Sequence, residues 1–407
     1  MDFNESPQDA AFRAECRSWL EANAQPRTNQ HSMGVLGEAD PETERLHVKA
    51  SQAWQAVLAD AGWAAIAWPR EYGGRGGSPR QQALFNEEQA HFDVPGNVFM
   101  QGIGMAGPTI IAHGTDEQRE RFLRPMLRGE EIWCQLFSEP GAGSDLASLG
   151  TRAERDGDEY VVNGQKVWTS SAQFSDWGIL LTRTNPDAPK HQGITYFLVD
   201  MRTPGIDVRP LRQITGVAHF NEVFLTDVRI PAANVLGPVD GGWGVTLTTL
   251  ANERASIGGG HGIDVVAGLI EALRASGRAD DPVLRDQVVQ TYIHGRLLTY
   301  LGWRAQTAVD RGTGPGAESS VIKLAHSMHQ AEIGDTAMTM LGAEGLLLDY
   351  TRLEGAPWQV RFLVQWAMRI GGGTEQVQRN ILGERILGLP REPRADKDVP
   401  FRETARA

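Results

Sequence analysis

The sequence is poor in the features that mark several large classes of protein. Only two cysteines occur in 407 residues, Cys16 and Cys134. Two thiols build no disulfide framework, and their spacing matches no metal-ligand pattern, so no metal is expected and both read as buried thiols in a reducing compartment. Basic residues (39) are outnumbered by acidic ones (51), for a net charge of −12. No dense Lys/Arg run breaks that balance, which argues against nucleic acid or an anionic membrane as a partner. The start, Met-Asp-Phe-Asn-Glu-Ser-Pro, is acidic and lacks the apolar stretch of a signal peptide. The longest charge-free apolar stretch, Val98 to Ala112, is too short and too interrupted by glycine and Pro108 to span a bilayer. A cytoplasmic protein is therefore expected. Neither a repeat nor a low-complexity segment is evident.

What is present is a chain of ordinary globular composition, 41% hydrophobic and 22% charged, long enough for two or three domains. Residues 1–133 read as helices. Ser6-Pro7 is an N-cap followed by proline at the first helical position, and Phe12, Cys16, Trp19 and Leu20 recur at helical spacing. A second start at Asp40-Pro41 leads through Leu46, Trp54, Val57 and Leu58 to a stop at Gly62. A glycine-rich loop from Trp68 to Gly77 precedes the return of helix near Gln81. Residues 134–240 change period and read as a compact β-domain. Asn163-Gly164, between two β-prone runs, predicts a hairpin turn, and Asp156-Gly157 an earlier one. Helical period returns over 241–391, with Trp243, Leu247, Leu250 and Ile257 on one apolar stripe. Segments 282–311 and 318–342 read as long core helices. The tail, 392–407, is expected to be extended or frayed.

Four segments carry groups suited to a site. Leu136-Phe-Ser-Glu-Pro-Gly-Ala-Gly-Ser-Asp145 offers Ser138 and Ser144 around a glycine turn, which a purely structural turn would also explain. In Asn163-Gly-Gln-Lys-Val-Trp-Thr-Ser-Ser171, hydroxyls follow an aromatic at once, as if a flat ring were stacked and its edge hydrogen-bonded. Leu250-Ala-Asn-Glu-Arg-Ala-Ser-Ile257 places Arg254 on the apolar stripe and Glu253 at its border. Adjacent helical residues point about 100° apart and neutralise each other poorly. Such a carboxylate is either paired with a base from a neighbouring helix or used. Finally, Arg369-Ile-Gly-Gly-Gly-Thr-Glu-Gln376 strips a turn of side chains before a threonine-capped helix. That junction suits an anionic or carbonyl ligand, or an ordinary loop.

Taken together, these segments resemble the acyl-CoA dehydrogenase family of flavoenzymes, over about residues 5–391. The most specific marks are Ser138-Glu-Pro-Gly-Ala-Gly-Ser-Asp145, Asn163-Gly-Gln-Lys-Val-Trp168, and Gly372-Gly-Thr-Glu-Gln376 with Ile386-Leu-Gly-Leu-Pro390. The resemblance implies an α+β fold: an N-terminal α-helical domain, a middle β-barrel-like domain and a C-terminal four-helix bundle. It implies non-covalent FAD, formation of an α,β-double bond in an acyl-CoA thioester, and electron-transfer flavoprotein as acceptor. Phe137, Ser138, Ser144, Trp168, Ser170, Gly342, Gly345, Thr374 and Gln376 take positions of flavin contacts. Ser144, Arg254, Gly371 and Gly372 take positions around the substrate. Many members carry the catalytic base where this chain has Gly372. A branch resembling isovaleryl- and long-chain acyl-CoA dehydrogenases carries it at the Glu-Arg pair, here Glu253-Arg254. Glu253 is thus expected to take the α-proton while the β-hydride goes to flavin N5, with the Gly372 N–H on the thioester oxygen.

Two positions depart from the family pattern. Ala343 stands where glycine is usual in Leu341-Gly-Ala-Glu-Gly345, and no Arg-x-x-Phe-Gly follows near Arg278. Both bear on whether the assembly is a homotetramer or an α2β2 heterotetramer. Gly371-Gly372 leaves room for a long, branched or ring-bearing acyl group, such as a steroid side chain. The alternatives are a flavin monooxygenase or oxidase on the same fold, a non-catalytic subunit of a heterotetramer, and a module that only sequesters acyl-CoA.

Overall fold

The computed structural model describes residues 5–27, 41–96, 98–258, 265–311, 318–348, 357–391, 393, 396 and 398–404. The first helix, α1 (Pro7–Asn23), starts where Ser6 Oγ accepts the Asp9 N–H at 3.1 Å and Pro7 has no N–H to leave unpaired. A two-residue strand, β1 (Gln25–Pro26), follows. Helix α2 (Pro41–Asp60) runs to the left-handed Gly62, while Asp40 lies outside the described residues. A reciprocal Ser78–Gln81 capping box opens α3 (Pro79–Gln89). Strand β2 (Phe92–Asp93) pairs with β1, and a π-helical turn (Met100–Ala106) leads into α4 (Gly107–His113) and α5 (Asp116–Leu127). Phe12, Cys16, Leu20, Trp63, Leu84 and Phe85 bury the seam between the first helices.

Seven strands then form one curled, open sheet: β3 (Trp133–Leu136), β4 (Arg152–Asp156), β5 (Glu159–Ser170), β6 (Trp177–Arg183), β7 (Ile194–Asp200), β8 (Ile206–Leu211) and β9 (Phe220–Pro231). The order is β3-β6-β4-β5-β9-β8, with β7 on β6. The Asp156-Gly157 turn joins β4 to β5, with Gly157 at φ 65°. Asn163-Gly164 is no turn. Strand β5 runs straight through it as a bulge, its register against β9 shifting between Val162 and Gly164. The Asn163 amide is spent across the sheet instead, accepting the Asp227 N–H at 2.9 Å and donating to Asp227 Oδ1 at 3.0 Å. A Cβ at position 164 would lie 2.3 Å from Thr151 Oγ1, so glycine there permits close strand approach.

The last block comprises α6 (Gly242–Gly258), α7 (Val265–Ala275), α8 (Pro282–Asp310), α9 (Glu318–Leu341), α10 (Pro357–Ile370) and α11 (Glu375–Ile381). Helix α9 is central, packed by α8, α10, α6 and α11. The buried face of α6 is Val245, Thr246 and Thr249, while Leu247 of the expected stripe is exposed. The reason is a narrow polar seam: Thr249 Oγ1 lies 3.0 Å from both the Tyr196 hydroxyl on β7 and Thr109 Oγ1 on α4. Trp243 and Leu250 pack at the edge of that core, and the Ile257 side chain lies outside the described residues. Helix α8 is a core helix on one side only, since Val289, Tyr292, Ile293 and Leu297 are exposed. The end of the tail is docked rather than frayed: Phe401 is buried, with the Arg183 guanidinium 3.9 Å from its ring centre.

Candidate active site

Two of the motif segments form one structure. Lys166 of β5 is fully buried, and its ammonium donates to Glu139 Oε1 at 2.7 Å and to the Phe137 carbonyl at 3.1 Å. Glu139 also accepts the Gly150 and Thr151 N–H groups at 2.6 and 2.9 Å. Burial alone would raise the Glu139 carboxyl, but Lys166 and these donors hold it below its ordinary value. One residue away, Val167 N–H donates to the Ser138 carbonyl at 2.9 Å. The glycine turn after β3 is therefore pinned against β5 at Phe137 and Ser138. Ser144 is exposed at the other end of that turn, lining a cavity of about 320 Å³ with Leu146, Lys190, His191 and Trp243.

Pinning one side of β5 throws out the other. The β5–β9 register shifts again between Lys166 and Thr169, and Trp168 sits at φ 61° and is 57% exposed. A non-glycine residue in the left-handed region, displaying a large aromatic to solvent, is strain of the kind that collects at binding sites. Phe220 supports the indole edge-on at 5.8 Å. Beside it, Ser170 is half-buried, and Thr169 Oγ1 is buried without a hydrogen-bond partner among the described residues.

Glu253 lies on α6, with Gln135 Nε2 of β3 at 3.5 Å from Oε2. The side chain of Arg254 lies outside the described residues. Across α9, the glycine turn follows α10, with Gly371 exposed and Gly372 and Gly373 at φ 66° and 90°. Thr374 caps α11 by accepting the Val377 N–H at 3.1 Å, and Gln376 is exposed on the first turn. Glu375 is buried beneath the turn and paired with Arg369 at 2.7 Å and Arg379 at 3.6 Å. Gly342 and Gly345 stand apart, past the C-terminal end of α9. At 1.5 Å per residue they are roughly 27 Å along that helix from the level of Lys323. There Arg278 donates to the Met340 and Thr339 carbonyls at 3.0 and 3.2 Å.

This arrangement matches known proteins over almost its whole length. Models of the acyl-CoA dehydrogenase N-terminal, middle and C-terminal domains match residues 6–130, 134–228 and 240–387. Acyl-CoA dehydrogenase IpdE1 of Mycobacterium tuberculosis is 40% identical over 390 residues, covering 94% of this chain and 98% of its own. The chain belongs to the acyl-CoA dehydrogenase family. Among solved structures, the Tcur3481-Tcur3483 steroid ACAD superposes with a TM-score of 0.77 at 29% identity, covering 96% of this chain and all of that one. A chain of the ChsE4-ChsE5 complex from Mycobacterium tuberculosis does so with a TM-score of 0.75 at 30% identity, with the same coverage.

Acyl-CoA dehydrogenases use FAD, and the residues present fit it. An exposed flat indole, an orphaned buried hydroxyl at Thr169 and a half-buried one at Ser170 suit a heteroaromatic ring with a polar edge. Sequence reasoning missed Glu139 as the partner of Lys166, and also Gln135 and Lys323. Lys166 and Glu139 both stand inside the quoted motifs, and a buried Lys can persist only with an acid, so that pair was available to a search. Gln135 and Lys323 carry no local signal.

Proposed function

We propose that this chain is a catalytic acyl-CoA dehydrogenase subunit with Glu253 as its base, acting on thioesters with bulky, ring-bearing acyl groups of the steroid side-chain type. The observation that carries this reading is the pair of positions at the turn and on α6. Gly372, at φ 66°, brings backbone but no acid, whereas Glu253 brings a carboxylate set between β3 and α9. The α-proton of a thioester is too weakly acidic for a carboxylate until the carbonyl oxygen is polarised. The Gly372 N–H supplies a donor for that oxygen as its charge develops. Glu253 then takes the proton while the pocket holds the acyl chain in line. FAD, when bound, accepts the β-hydride. Trp168, Ser170 and Thr169 would hold its ring system, and Ser144 and the glycine turn would flank the thioester. Gly371 and Gly372 leave the space beside the reacting carbons free of side chains, which accords with the steroid ACAD among the structural neighbours. Electron-transfer flavoprotein is the proposed acceptor.

Glu253→Gln should retain the fold and FAD yet slow anaerobic flavin bleaching by a good acyl-CoA roughly 10²–10⁴-fold, the range of a general base. Bleaching at the parental rate would make Glu253 a structural residue. Fast reaction of the reduced protein with oxygen would place it among oxidases instead.

A further inference from the structure

The carbonyl that would ordinarily cap the end of α10 is taken by another helix. Helices commonly end on a left-handed residue whose own N–H, or the next one, bonds back to a carbonyl of the last turn. The left-handed residue after α10 is Gly372, at φ 66°, followed by Gly373 at φ 90°. Four residues before Gly372 stands Met368. Its carbonyl is the partner that the Gly372 N–H takes in the simple left-handed cap, and the Gly373 N–H in the Schellman form. Neither bond forms among the described residues, although the Gly371 N–H keeps its helical bond to the Ala367 carbonyl at 2.8 Å. The Met368 carbonyl is bonded from α9 instead. Lys323, 6% exposed, donates to it through Nζ at 3.1 Å. Ser327, buried one helical turn on, sets its hydroxyl 3.0 Å from the same oxygen. It shares its single hydrogen with the Lys323 carbonyl, also at 3.0 Å. A carbonyl oxygen has two acceptor sites, and α9 brings two donors to them.

We propose that Lys323, assisted by Ser327, is a positioning residue that occupies the Met368 carbonyl and so leaves the Gly372 N–H unspent for the substrate oxygen. An amide committed to a cap must give up that bond before it can serve a ligand. One kept out of the cap is ready beforehand, so no bond within the protein breaks as charge develops on the thioester oxygen. Other contacts hold the uncapped turn in place. Arg369 before it pairs with Glu375 after it at 2.7 Å, and Gln378 Nε2 lies 3.4 Å from the Gly372 carbonyl. The three glycines thus keep a defined path without the usual cap bond. This role rests on the assignment of the Gly372 N–H to the thioester oxygen, and the test separates the two.

Two measurements on FAD-loaded protein read it without turnover. The first uses 4-(dimethylamino)cinnamoyl-CoA, whose absorption band moves to longer wavelength as its thioester carbonyl is polarised. Bound to the parent, the band should shift red. Lys323→Met/Ser327→Ala should keep its FAD and lose most of that shift. It should also bleach with a good acyl-CoA up to about 10²–10³-fold more slowly, the effect of losing one oxyanion donor. Lys323→Arg, which keeps donors for the Met368 carbonyl, should retain most of the shift. The second measurement is hydrogen-exchange mass spectrometry of the peptide spanning the glycine turn, with no ligand present. The double variant should exchange more slowly there than the parent, because the freed Met368 carbonyl now protects a glycine N–H. A change that merely loosened the fold would speed exchange instead. Parental shift and parental or faster exchange in the double variant would overturn the role of Lys323 alone. No red shift in the parent would overturn the Gly372 N–H as donor and, with it, Lys323. Should the double variant fail to hold FAD, Lys323→Met carries the same comparison.

Discussion

A buried ammonium explains why two distant motifs occur together. Lys166 and Glu139 are 27 residues apart, yet the ion pair fixes the turn at Phe137 and Ser138. Removing one member strands the other charge, at a cost of about 3–5 kcal/mol. Lys166→Met should therefore melt earlier and release FAD more readily than Lys166→Met/Glu139→Gln, measured by thermal scanning with flavin fluorescence. Equal behaviour of single and double variants would refute the coupling. The pH sign follows from the depressed Glu139 carboxyl: its stabilisation is complete above the ordinary value of 4.5 and is lost as pH falls below it. A Glu139→Gln variant should accordingly show a shallower acid limb than the parent. At this scale the sequence singled out Trp168, Ser144 and Glu253 from their motifs, and the fold leaves Trp168 and Ser144 exposed and Glu253 half-buried on α6. It was silent on Lys323, because a lysine within a helix acquires meaning only from what its neighbours bring to it, here the Met368 carbonyl of α10.

Helices were readable from caps: Ser6 and Thr374 do cap the helices whose starts they signal. Strand connections were less so, because Asn-Gly serves a bulge as well as a turn, and only the partner strand decides between them. The tail was misread for a related reason. Its few apolar residues give no period, yet Phe401 finds a seat made by Arg183, whose guanidinium also donates to the Ala147 and Lys190 carbonyls at 2.6 and 2.9 Å. The Phe401 and Arg402 N–H groups add bonds to the Ala188 and Pro186 carbonyls at 2.9 and 3.0 Å. Lys190 in turn joins Asp145 at 2.9 Å to Asp396 at 2.7 Å. The strap thus buttresses the loop that carries Ser144. Phe401→Ala should cost about 3 kcal/mol of local stability, seen as faster proteolysis of the tail at unchanged FAD content. Unchanged cleavage would mean that the docked segment contributes no restraint.

At the scale of the whole molecule, the described residues leave apolar surface that a second chain would cover. Leu346 and Leu347 are 87% and 71% exposed directly after Gly345, and α8 exposes Val289, Tyr292, Ile293 and Leu297. Exposed apolar side chains of this kind suit an interface. The sequence points the same way from a different side, since the family resemblance gives Gly342 and Gly345 the positions of flavin contacts. The distance along α9 supports it: these glycines are too far down the helix to share a site with the turn at 371–373 of the same chain. A second chain, identical or related, is the occupant we expect, and the net charge of −12 makes its association strengthen with added salt. Native mass spectrometry should find a species larger than the 44.5 kDa chain, either of one subunit type or after co-expression with a partner. Leu346→Glu/Leu347→Glu should dissociate it and lower FAD content together, because the same segment would both bury the interface and complete the cofactor site. A monomer with full FAD occupancy would sink the shared-site argument, and dissociation without loss of FAD would leave the interface but remove its link to the cofactor.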